Sequence, residues 1–237
     1  MDGGGGKAAH RQAFTLADTL ITLGIIGIVA AMTLPVLTKK YQYHILENQF
    51  KKQYSVLQQA LLNMQAADGQ IINNNNYPPQ TFAPKFFKQL KIILNCGSDG
   101  CEEMDFDSAN GNYADLTSKV YKTFNKSRFA GSLLFDDGQA MTSDAAFIMI
   151  NHSVAAQRIT ISIDINGYHK APNIWGYDLF TFEILNDSGK LVPAGTKGTY
   201  YEQSRNTRCS LSSSDKMNGI TCSYHALSDN NYWKNLR

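Results

Sequence analysis

One carboxylate, Asp18, stands near the start of an apolar run, AFTLADTLITLGIIGIVAAMTLP, that fills residues 13 to 35. From Thr19 to Leu37 no side chain is charged, which approaches the roughly 20 residues a helix needs to cross about 30 Å of hydrocarbon. A carboxylate that close to lipid costs a few kcal/mol on insertion scales and needs a partner that neutralises it. Asp18 is therefore a functional candidate in need of a partner.

Oxygen ligands recur in the stretch from Asp164 to Asp178, DINGYHKAPNIWGYD. Asp164, Asn166 and Asp178 could hold a calcium ion, the hard cation that takes carboxylate and amide oxygens. Asn166-Gly167 and Pro172-Asn173 are also turn residues, no twelve-residue calcium loop is present, and the turn reading already accounts for them. No other cofactor is indicated. The four cysteines fall into two local pairs, Cys96 with Cys101 and Cys209 with Cys222. In an oxidising compartment both would close, a crossed connectivity staying open; neither pair has the Cys-x-x-Cys spacing of a zinc ribbon. His10, His44, His152, His169 and His225 are scattered, Asp136-Asp137 abut Gly138 as turn residues, and no nucleophile elbow, phosphate loop or His-Glu-x-x-His is present. The expectation is a protein without catalytic machinery.

These residues need elements to position them. With 237 residues, 43 % of them hydrophobic, and a formal net charge of +2, the chain has material for one good core or two small ones, and no basic excess that would favour nucleic acid as its main partner. From Lys39 to Ala66, Leu46, Phe50, Tyr54, Leu57, Leu61 and Met64 recur at spacings of three and four, which predicts an amphipathic helix continuing the apolar one. Lys39, Lys40, Lys51 and Lys52 fall largely off that stripe, on a solvated face. Pro35 lacks a backbone donor and should kink the join. Ala67-Asp68-Gly69 ends the helix, and a short helix is expected at Lys85 to Leu94. Strands follow: Ser132 to Phe135, Ala145 to Ile150, and the alternating Ile159, Ile161, Ile163 and Ile165, the period of a half-buried strand. Phe180, Phe182 and Ile184 repeat it, and Asn186 to Gly189 turns the chain toward Leu191. The expected class is α+β, an antiparallel sheet packed on the long helix.

Simpler readings of residues 1–37 stay open. Lys7 and Arg11 ahead of the run, with Val29-Ala30-Ala31 as small residues, fit a secretory signal. Length alone fits a plain signal anchor. A buried core helix fits least, since Gly24 and Gly27 weaken a helix in water and suit close helix contacts in a membrane.

Residues 13 to 35 resemble the N-terminal signature of type IV pilins and of the pseudopilins of type II secretion systems: small Ala13, then Phe14-Thr15-Leu16, acidic Asp18, an apolar helix and Pro35. Ala13 stands where the family usually has Gly, and Asp18 where it usually has Glu. The resemblance implies a leader at 1–13, cut between Ala13 and Phe14 by a prepilin peptidase that methylates the new amine. It implies a membrane and polymerisation helix at 14–37 and a pilin-like head at 38–237 that includes the helix at 39–66. Phe14 would supply the amine, Asp18 the carboxylate that pairs with a neighbouring subunit, and Gly24, Gly27 and Pro35 the packing and bending. Implied partners are further copies, other pilin-like subunits, the peptidase and an inner-membrane assembly platform. The implied location is the inner membrane, single-pass with a periplasmic head, then a periplasmic or extracellular filament. Cys209 to Cys222 resembles the C-terminal disulfide loop that pilins use for recognition, and residues 164–178 resemble, more weakly, a stretch of some pseudopilin heads whose loops hold calcium. The competing class is a monomeric, membrane-anchored periplasmic binding module.

Overall fold

The computed structural model describes residues 16–98, 100–101, 120–127 and 135–236. Ala13, Phe14, the rest of the expected leader and residues 132–134 of the expected strand at Ser132 to Phe135 lie outside them. The chain divides into two compact units, residues 1–42 and 43–237.

The described part of the first unit is helical throughout. Helix α1, Leu16–Asp68, starts there and is helical on both sides of Pro35. Apart from its first turn and the carbonyl that faces Pro35, its apolar first half can satisfy its backbone within the helix, because an α-helix pairs its own amides and carbonyls.

In the second unit the stripe read from the sequence is the inner face of α1. Leu46, Phe50, Leu57, Leu61 and Met64 are buried, and Tyr54 packs beside them. They lie on a six-stranded antiparallel sheet of order β1-β2-β3-β4-β5-β6. Its strands are β1 (Ile92–Gly97), β2 (Gly138–Thr142), β3 (Phe147–Ser153), β4 (Arg158–Asp164), β5 (Leu179–Ile184) and β6 (Leu191–Pro193). Register sets Ile150 against Ile161 and Ile161 against Phe182, so the odd-numbered isoleucines of β4 continue one apolar row across the sheet. Phe50 rests on Phe180 with ring centroids 4.5 Å apart, and Tyr54 stacks on Phe182 at 4.9 Å. The α+β class expected from the sequence is the class observed.

Two expectations are corrected. The helix at Lys85 to Leu94 is instead α2 at Phe82–Phe87, followed by strand β1. Phe82, Ala83, Phe86 and Phe87 form its buried face, and Gly138 lets it sit close on β2, since a Cβ there would lie 2.6 Å from that of Ala83. The half-buried reading of β4 also fails, because Thr160, Ser162 and Asp164, with Thr181 and Glu183 of β5, are buried too. A second apolar layer, including Tyr121, Trp175, Tyr201 and Ile220, covers that face. Hydrogen bonds make its polar content tolerable: the Ser162 and Thr181 hydroxyls lie 2.8 Å apart, and Trp175 Nε1 donates to Thr181 Oγ1 at 3.0 Å. Alternation distinguishes two faces of a strand without deciding that the polar one is wet.

Candidate functional site

In the first unit, α1 is the one helix among the described residues that is long and apolar enough to cross a membrane. Its apolar side chains point outward, with Leu20 63 % and Ile26 64 % exposed, the inverse of what water selects for so many large aliphatic groups. Its threonines bond back to their own helix: Thr22 Oγ1 donates to the Asp18 carbonyl at 2.9 Å, Thr33 Oγ1 to Val29 at 2.9 Å and Thr38 Oγ1 to Pro35 at 3.0 Å. Hydroxyls satisfied in this way do not oppose burial in lipid. Asp18 lies in the first turn of α1, where a carboxylate suits the positive end of the helix dipole. Around Gly24 and Gly27 a Cβ would meet nothing within 4 Å, so nothing among the described residues crowds them.

The head contains both local disulfides, Cys96–Cys101 and Cys209–Cys222. The first fixes the end of β1, where the Cys101 amide donates to Gln139 Oε1 of β2 at 3.2 Å. The second closes a loop onto the start of α3, Cys222–Ser228. Buried Asn218 braces that loop from within, donating to the Ser210 carbonyl at 2.8 Å and accepting the Ser210 amide at 3.1 Å. By chain entropy, closing a 13-residue separation is worth about 3 kcal/mol.

Asp164, Asn166 and Asp178 come together, and their work is visible. Asp164 Oδ1 accepts the amides of Asn166 at 3.2 Å and Gly167 at 2.9 Å, and Oδ2 accepts the Tyr121 hydroxyl at 3.0 Å. Asp178 accepts the amides of Asn173 and Ile174, each at 2.7 Å. The Asn166 side-chain amide donates to the carbonyls of Lys170 and Ala171. These are the bonds of turn residues. Burial pushes both acids up, Asp178 to about 7, and the nearby Asp178 charge raises Asp164 further. Asn166 Oδ1 is a buried acceptor without a donor, which suits a cation, while each carboxylate oxygen of Asp164 and Asp178 already accepts a hydrogen bond.

The lysines off the α1 stripe divide. Lys51 pairs with Glu47 at 2.6 Å one turn away, and Lys52 with Asp144 at 2.6 Å, ahead of β3. Such exposed pairs contribute about 0–1 kcal/mol. Asp136 and Asp137 precede β2, where Asp137 Oδ2 accepts the His152 amide at 2.6 Å. Both histidine nitrogens are buried without partners, and burial lowers the His152 pKa.

Sequence reasoning missed one constellation. Glu183 of β5 is buried, its Oε1 accepts the Tyr200 amide at 2.6 Å, and its Oε2 has no partner. The Arg158 guanidinium lies 4.3 Å from the Tyr200 ring centroid and 5.0 Å from that of Tyr201. Burial raises Glu183 to about 7 against the opposing pull of the Tyr200 amide and of Arg158. The tandem Tyr200-Tyr201 after β6 was the available signal. Compared with models of known families, with curated proteins and with solved structures, the chain matches none.

Proposed function

We propose that this chain is a structural subunit of a type IV pilus or of a type II secretion pseudopilus, held in the inner membrane by its N-terminal helix and assembled into a filament through it. The observation that carries this reading is the change of character along α1. Its first half turns large aliphatic side chains outward, and its second half supplies the inner face of the head core. A helix of that kind needs lipid or other copies of itself around the first half. Asp18 then pairs with the methylated Phe14 amine of a neighbouring subunit, which removes the cost of a carboxylate in lipid. The prepilin peptidase acts between Ala13 and Phe14, and the assembly platform receives the mature subunit. The role is structural, with no reaction assigned to the head.

Asp18→Ala tests the reading. In cells that assemble the filament, the variant should accumulate in the membrane at wild-type level and be lost from sheared or purified fibres. Wild-type incorporation of Asp18→Ala would refute assembly through this carboxylate and favour the anchored binding module.

A further inference from the structure

A cavity of about 690 Å³ opens at one end of the sheet, lined among others by Gln157, Glu183, Asn186, Asp187, Lys197 and Tyr200. This volume is in the range of small-molecule sites. Three hairpin and loop segments build it: the β3–β4 turn, the end of β5 with its turn, and the loop after β6. Turn and strand bonds hold the walls in place. Asn186 Oδ1 accepts the Asn74 amide, and Glu183 Oε1 holds the Tyr200 amide.

Its chemistry is mixed in a specific way. Tyr200 is 59 % exposed, yet its ring is pinned on the Arg158 guanidinium and set edge-on to Tyr201, centroids 5.2 Å apart. An exposed aromatic held this firmly loses little further freedom on binding. Glu183 stiffens that wall, one oxygen on the Tyr200 amide and the other buried from solvent without a partner. Gln157 and Asp187 add amide and carboxylate groups to the lining. Charges of opposite sign are both present, Glu183 and Asp187 against Lys197 and the adjacent Arg158, so neither an anion nor a cation meets a uniform field. An uncharged ligand with hydroxyls along its edge and an apolar face answers all of these features.

We infer that this cavity is a binding site for an uncharged saccharide, its C–H face on the Tyr200 ring and its hydroxyls on Asp187 and Gln157. The site is separate from the Cys209–Cys222 loop and independent of the filament reading. The test uses the full chain in a zwitterionic detergent without a sugar headgroup, with cellobiose, maltose, lactose and N,N′-diacetylchitobiose as probes in saturation-transfer NMR. At least one disaccharide should receive saturation, chiefly on its C–H protons. Tyr200→Ala should weaken that binding about tenfold with unchanged circular dichroism, and Tyr200→Phe should restore it. Transfer to none of the four, or transfer that survives Tyr200→Ala, overturns the inference.

Discussion

Phe50 of α1 lies against Phe180 of β5 with ring centroids 4.5 Å apart, and the Trp233 ring stands 5.6 Å from each of them. Three chain segments, a helix, a central strand and the C-terminal stretch, thus meet at one side chain with no solvent exposure. Phe50→Ala should destabilise the head by about 3–5 kcal/mol, a large part of the roughly 5–15 kcal/mol that a domain has in total. Denaturant unfolding of the full chain in detergent, followed by tryptophan fluorescence, measures it. Because Trp175 and Trp233 are both buried, the emission reports the head. A loss below about 1 kcal/mol would mean that this aromatic cluster is not the centre of the core.

Glu183 makes a pH prediction. Its folded pKa of about 7 lies above its ordinary value of 4.5, so the folded state favours the protonated form. The associated stability is complete below about pH 4.5 and is lost as pH rises through about 7. The wild type should therefore melt lower at pH 8 than at pH 5.5, and Glu183→Gln should remove the Glu183 share of that difference, on the order of 2–3 kcal/mol at most, while Asp164 and Asp178, also raised by burial, keep the rest. His152, lowered by burial, works in the other direction, its stability being lost as pH falls through its folded pKa, and it is unaffected by the substitution. Equal pH dependence in wild type and Glu183→Gln would contradict the burial of this carboxyl.

For the 164–178 connection the expectation is that of a turn clamp. Asp178→Asn replaces one of two acceptors facing backbone amides with a donor, which should cost about 1–3 kcal/mol. Millimolar calcium should leave the wild-type melting temperature at pH 7.5 unchanged, and chelator should do the same. A calcium-dependent rise that Asp178→Asn abolishes would establish the cation site instead.

The amphipathic half of α1 was legible because the spacing from Leu46 to Met64 admits one face only. The isoleucines of β4 were legible for the same reason with a period of two. Strand β1 was not, since Ile92 to Gly97 is an edge strand whose middle side chains stay exposed, and an edge needs no alternation. The burial of Thr160, Ser162 and Glu183 was out of reach as well. It is produced by Trp175, Tyr201 and Ile220, whose position over that face follows from chain crossing and leaves no local pattern. Both disulfides were legible as neighbours in sequence. The saccharide cavity was not, since its walls come from three separate turns.

The most direct test of the central claim is the mass of the N-terminal peptide of the protein isolated from its native membrane. A peptide beginning at Phe14 and carrying one methyl group is expected. A peptide beginning at Met1 would contradict prepilin processing, and one beginning at Met32 would mean that the helix is removed as a secretory signal and that no filament is built from it.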